Sequence, residues 1–160
     1  MFSVTLITVG KCKEKFYISA AEEYAKRLGA YCKFKLLELP ETRLPEDPNL
    51  TEIRSGLAKE AELIRAQLPK GAWFCVLTPE GKELSSEALS EKLQQVKLSG
   101  KSAACFLIGS SFGIDPEIKK LADFRLSFGP MTFPHHLMRV MALEQLYRAE
   151  TIAAGTKYHK

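Results

Sequence analysis

Apolar positions along the chain switch repeatedly between strand and helix spacing. Residues 2–9 (FSVTLITV) form a β-branched run that ends at Gly10 and predicts a strand. Tyr17, Ala21, Tyr24 and Leu28 then recur at helical spacing, with Gly29 as the stop. Residues 34–39 predict a second strand closed by Pro40, and residues 40–50, with three prolines, predict a loop. Ile53, Leu57, Ala61, Ile64 and Leu68 mark one face of a second helix that stops near Pro69. Residues 73–77 (WFCVL) are continuously apolar, which suits a strand covered on both faces. Ser85 or Ser86 can cap a helix with Leu89, Leu93 and Val96 inward, ended by Gly100. Residues 103–108 (AACFLI) predict another buried strand. Asp115-Pro116 opens a short helix with Ile118 and Leu121 inward, residues 124–128 predict a fifth strand, and Pro134 opens a last helix to about Glu150. Strand alternating with helix predicts an α/β layer fold on a parallel sheet. With no repeat, linker or low-complexity segment, residues 1–160 are expected to form one domain.

The last helix departs from ordinary amphipathicity. Leu137, Met138, Val140, Met141, Leu143, Leu146 and Tyr147 surround most of its circumference, so it must be buried on more than one side. A partner subunit is the favoured second cover, and a central place within one chain is the alternative. Glu144 and Arg148 stand at i,i+4 in the favourable order and are expected to pair.

Composition narrows the class. Hydrophobic residues make up 46% and charged residues 26%, which excludes a disordered tail or a disulfide scaffold. The uncharged opening run, residues 1–10, is too short to cross a bilayer and has neither a basic leader nor a cleavage site, so a soluble, cytoplasmic chain is expected. Cys12, Cys32, Cys75 and Cys105 lie 20, 43 and 30 residues apart. No pair has metal-ligand spacing, and Cys75 and Cys105 sit in apolar runs as small hydrophobes. The adjacent His135 and His136 point in different directions from a helix start, so no metal site is expected. Residues 1–35 hold seven basic and three acidic residues, the whole of the net +4. Such a patch suits a polyanion, although a solvated helix face would read the same.

Three segments follow predicted strands and carry glycine: residues 78–82, residues 109–113 and residues 128–133. Ligands of open α/β sheets bind outside the carboxyl ends of strands, so together these segments suggest one cofactor pocket. There is no GxGxxG after the first strand, no P-loop and no GxSxG elbow.

The segments LTPEGKELSSE (77–87), FLIGSSFG (106–113) and LSFGPMTFPHHLMRVMALEQLYRA (126–149), with the closing Tyr158-His159-Lys160 and the opening TLITVGKCKEKF, resemble the RlmH family over essentially the whole chain. These are small bacterial SPOUT-class methyltransferases. The resemblance implies a parallel-sheet α/β/α fold with a C-terminal trefoil knot, which no periodicity could reveal. It implies a homodimer that acts on the assembled ribosome, moving a methyl group from S-adenosylmethionine to N3 of a pseudouridine in large-subunit rRNA. The family's cofactor contacts map onto Leu77, Gly109, Phe128, Gly129, Pro130, Met131, Thr132 and Phe133. One departure is Gly109-Ser110, where the family usually has paired glycines; serine adds bulk and a hydroxyl near the cofactor.

For such a reaction the N3 proton must be removed or the developing anion stabilised, and no metal is required. His136, Arg139, Tyr158 and His159 are the candidates. Arg139 would hold a uracil oxygen or a phosphate, and its loss is expected to abolish transfer without unfolding. The tail would close over the site, with Tyr158 stacking on the base and His159 acting as base or donor. Lys11, Lys13, Lys15 and Lys35 are the candidates for RNA backbone contact. A knotted methyltransferase acting on another RNA such as tRNA, and a non-catalytic ribosome-binding module, are the competing readings.

Overall fold

The computed structural model describes residues 1–160. In chain order the elements are β1 (Ser3–Val9), α1 (Lys15–Leu28), β2 (Lys33–Leu39), α2 (Leu50–Gln67), β3 (Trp73–Glu83), α3 (Ser86–Leu98), β4 (Ala103–Ile108), α4 (Pro116–Leu121), β5 (Phe124–Ser127) and α5 (His135–Ala153). The strands form one parallel sheet in the order β2-β1-β4-β3-β5.

The apolar runs alternate across this sheet. Cys75, Leu77, Ala104, Phe106 and Ile108 face one side, where they pack with Ala21, Leu28, Leu89, Leu93, Leu143 and Leu146 of α1, α3 and α5. Phe74, Val76, Cys105 and Leu107 face the other, against Ala61 and Ile64 of α2 and Ile118 of α4. Both faces are therefore covered, as the unbroken apolar runs require. Cys75 and Cys105 are fully buried, and burial pushes both thiols far up, Cys105 to about 12, so both are inert hydrophobes. No helix is long and apolar enough to cross a membrane.

Two differences from the sequence reading matter. Helix α2 starts at Leu50, three residues before its first periodic apolar residue, because Asn49 and Glu52 form a reciprocal capping box. Strand β3 does not end at Leu77 but runs on, through an irregularity, to Glu83. Leu126 of β5 pairs with Leu77 on one side of that irregularity and with Lys82 on the other. The chain at Arg125–Ser127 thus lies within the bight of residues 77–82. Gly81 marks how tight this enclosure is: a Cβ there would stand 2.7 Å from the Arg125 carbonyl oxygen. Such enclosure of β5 is consistent with the C-terminal trefoil knot that the resemblance implies.

Helix α5 leaves this crossing and packs against α1 and α3. Ala142, Leu143, Leu146 and Ala149 are buried between those helices and the sheet, while Leu137, Val140, Met141 and Tyr147 are half-buried. One chain therefore covers most of the apolar circumference by itself.

Candidate active site

Strands β4, β3 and β5 are adjacent, so the segments that follow β4 and β5 converge with residues 77–80, at the irregularity within β3. They enclose a cavity of about 720 Å³ lined by Leu77–Glu80, by residues 108–114 and by residues of the 126–135 segment. Of the expected cofactor contacts, Leu77, Gly109, Phe128, Gly129, Met131, Thr132 and Phe133 line it; Pro130 does not. Met131 is largely exposed at the rim.

Each loop is held by a specific device. Ser127, buried at the end of β5, donates from Oγ to the Pro79 carbonyl at 2.9 Å and accepts from the Gly129 N–H at 3.0 Å, so one hydroxyl ties the first and third segments together. Gly129 has φ +110°, a backbone conformation that favours glycine. Gly109 is required for a different reason: a Cβ there would lie 2.4 Å from the Gly113 carbonyl oxygen and 2.5 Å from Ile114. The close approach at Gly109 is of the loop to itself, through the Ser110–Gly113 bridge. Ser110 donates to Oε1 of the buried Glu60 at 2.8 Å, and Glu60 Oε2 accepts from the Thr42 N–H at 2.8 Å. The added hydroxyl is thus engaged by a carboxylate of α2.

Lys119 of α4 and Glu80 also line the cavity and form an ion pair. The Lys119 ammonium, with help from the Thr78 hydroxyl, holds the Glu80 carboxyl down at about 2. Neither residue was singled out by the sequence, since the pair joins β3 to a helix thirty-nine residues away.

The expected catalytic residues do not gather in one place. At the start of α5, His135 lines the cavity, whereas His136 turns toward Tyr17, Cys12 and Glu14. Burial, the neighbouring His135 and Arg139 all lower the His136 pKa, against smaller opposing effects of Glu14 and Glu38. Arg139 is buried and committed to the fold: it donates to Glu38 at 2.8 Å, to the Thr8 hydroxyl at 2.9 Å and to the Gly10 carbonyl at 3.1 Å. Burial opposes ionisation of Glu38, but the Arg139 guanidinium outweighs it and lowers the carboxyl pKa. Arg139 thus pairs with a carboxylate and two oxygens of the fold, and it does not line the cavity. Its guanidinium fastens α5 to the carboxyl ends of β1 and β2.

Tyr158 and His159 fold back onto α5 and α3. Tyr158 donates to Glu144 at 3.0 Å and packs edge-on against Tyr147. Burial and that hydrogen bond raise the phenol to about 12, so it acts as a donor and a stacking surface rather than a base. Arg148, paired with Glu144 as expected, also contacts His159 Nδ1 at 3.1 Å. Arginine can only donate, so Nδ1 accepts and Nε2–H donates to Glu87 at 2.6 Å. The tail stands beside a second cavity of about 610 Å³, which contains Glu144 and Gln145 and shares only Leu126, Phe128 and Gly129 with the first.

Lys11 and Lys13 are exposed in the β1–α1 connection and Lys15 is exposed at the start of α1; Gly10, which precedes Lys11, approaches the wall residue His135, whose ring lies 3.3 Å from where a Gly10 Cβ would stand. Lys35 is exposed on edge strand β2 opposite Thr5, about 13 Å along the strand from the loop-bearing edge.

Comparison with known proteins agrees with the fold. A family described as "Predicted SPOUT methyltransferase" matches residues 2–159. A Ribosomal RNA large subunit methyltransferase H of Bifidobacterium adolescentis is 48% identical over 98% of this chain and 99% of its own. A protein of the same name from Limosilactobacillus reuteri is 42% identical over 99% of both chains. Among solved structures, a tRNA (m1G37) methyltransferase from Aquifex aeolicus shares the fold, with TM-score 0.52 and 14% identity over 98% of this chain and 73% of its own.

Proposed function

We propose, for a chain that belongs to the SPOUT methyltransferase family, that it transfers a methyl group from S-adenosylmethionine to N3 of a pseudouridine in large-subunit rRNA of the assembled ribosome. The observation that carries this reading is the convergence of three strand-end segments on one cavity at the carboxyl edge of a parallel sheet. Relatives named for large-subunit rRNA supply the substrate class.

The residues present fit the cofactor. A cavity of about 720 Å³ lies within the range of small-molecule sites. Its walls combine apolar Leu77, Ile108 and Phe133 with the backbone of three turns and the carboxylate of Glu80. S-adenosylmethionine supplies the electrophilic methyl group when bound. What remains for the protein is to orient the base and manage its N3 proton. In this reading His135, on the cavity wall, would accept that proton, and Arg139 would fix the helix turn from which His135 projects.

The active unit in this reading is a homodimer. Helices α1 and α5 leave Phe16 two-thirds exposed and Leu137 and Met141 half-buried. The tail of one chain lies beside the second cavity rather than the first, so a partner's Tyr158-His159 segment would complete the site. Lys11, Lys13 and Lys15 would meet the rRNA backbone, which makes the rate fall as salt rises.

The test is transfer of labelled methyl from S-adenosylmethionine to ribosomes that lack the modification, followed by nucleoside mass analysis. Methylpseudouridine from whole ribosomes is expected; label in another nucleoside, or none, overturns the assignment. His135→Gln should lower kcat by about 100-fold if it handles the proton. For the shared site, Gly129→Val chains mixed with Tyr158→Ala chains should regain activity that neither homodimer has.

A further inference from the structure

A cluster unrelated to the cofactor cavity lies where β1 runs into α1. Cys12, Glu14 and His136 each offer one ligand atom, and the three atoms lie within 4.8 Å of one another. Cys12 is 4% exposed, and its Sγ is 3.7 Å from Glu14 Oε2. His136 Nδ1 is buried with no hydrogen-bond partner, which is costly unless something else satisfies it. Tetrahedral Zn²⁺, with a thiolate at about 2.3 Å and nitrogen or oxygen at about 2.0–2.2 Å, spaces its ligand atoms by about 3.3–3.6 Å. The Cys12–Glu14 pair already stands near that spacing, and the cluster as a whole needs to contract by about 1 Å on the side of His136.

We propose that Cys12, Glu14 and His136 form a three-ligand site for a thiophilic divalent cation of the Zn²⁺ type. Thiolate and imidazole favour Zn²⁺ over Mg²⁺ or Ca²⁺, and thiolate plus carboxylate balance its charge. On binding, the Cys12 thiol gives up its proton to solvent. The site is supported from behind: the Cys12 N–H donates to Glu38 Oε2 at 3.1 Å, and the same oxygen accepts from Arg139. Such outer contacts fix ligand orientation. With three protein ligands a tetrahedral ion keeps one position open. A bound ion would tie the residue preceding α1 to the first turn of α5, the turn from which His135 enters the cavity wall. Linear spacing could not reveal this, since 122 residues separate Glu14 from His136.

The experiment uses the full chain after chelator treatment. Zn²⁺ is titrated in competition with a chromophoric chelator, and Co²⁺ serves as a spectroscopic probe of the same site. One equivalent of Zn²⁺ is expected, and the Co²⁺ adduct should show intense tetrahedral d–d bands with a thiolate charge-transfer band. Cys12→Ser should remove the charge-transfer band and weaken Zn²⁺ binding at least about 100-fold, and Glu14→Gln about 10-fold. Because Glu14 is exposed, its variant tests the site even if Cys12→Ser folds poorly. Wild-type affinity in either variant, absence of the thiolate band, or no stoichiometric Zn²⁺ binding overturns the proposal.

Discussion

The Ser110–Glu60 pair offers the sharpest test of how the cofactor loop is held. Glu60 is 4% exposed, so its carboxylate depends on protein donors: Ser110 Oγ on one oxygen and the Thr42 N–H on the other. Ser110→Ala removes one of the two. A hydrogen bond to a charged group contributes about 1.5–3 kcal/mol, and urea unfolding should show a loss of that size. A double-mutant cycle with Glu60→Ala isolates the pair, since the Thr42 contact is kept in both chains that bear Glu60, is lost in both Glu60→Ala chains, and so cancels. The coupling should then be about 1.5–3 kcal/mol. Under the proposed function, cofactor affinity is tied to the same contact because residues 109–113 form one cavity wall. With 1.4 kcal/mol per decade, calorimetry should find the dissociation constant raised by at most about 100-fold. Ser110→Gly should lose a further 0.4–1 kcal/mol or so through the freer unfolded chain. A coupling below about 0.5 kcal/mol would refute the account. So would a Ser110→Gly chain that is fully stable and binds cofactor more tightly, because the hydroxyl would then be facing the cofactor rather than Glu60.

Three further outcomes follow from the geometry. Gly81→Ala should destabilise by about 1–3 kcal/mol or more in equilibrium unfolding, because the intruding methyl meets the backbone of Arg125 and Leu126 rather than a movable side chain; a neutral result would mean that β5 is not enclosed as described. Glu80 has a folded-state pKa of about 2 against an ordinary value of 4.5, so its pairing with Lys119 contributes stability above about pH 4.5 that is lost as pH falls toward 2. Lys119→Met should therefore flatten the pH dependence of unfolding in that window, and carboxyl titration by NMR should find Glu80 moved upward. Arg139→Ala should cost about 3 kcal/mol, since it breaks a pair whose arginine side chain is 5% exposed; a variant that loses methyl transfer at unchanged stability would instead favour direct contact of Arg139 with substrate.

The order of strands and helices was legible because burial on both sheet faces leaves continuous apolar runs, and WFCVL and AACFLI sit on β3 and β4 as read. Helix starts set by capping rather than by apolar periodicity, as at Asn49, were less so. The three cavity segments were found as strand-end glycine loops. Their wiring was not, because Ser127, Glu60 and Lys119 act across gaps that no local window spans. The His135-His136 doublet shows the same limit at single-residue scale. A helix start fixes that two adjacent side chains diverge by about 100°, but only packing against Tyr17 and Cys12 decides which one faces the cavity.

The glycines carry this reasoning furthest. Read from sequence, Gly81, Gly109 and Gly129 share one explanation, room for a ligand to approach backbone. In the fold they have three. Gly129 needs its positive φ and has open space where a side chain would go. Gly109 would clash with its own loop, and Gly81 with the backbone of β5. These causes predict different responses to alanine. At Gly129 the cost is conformational, and the binding surface changes because the methyl lies where residues line both cavities. At Gly109 and Gly81 the cost falls on folding before any ligand is present. Stability and cofactor affinity, measured together for the three alanine variants, should separate Gly129 from the other two. A common response would mean that the ligand, and not the path of the chain, is what all three glycines serve.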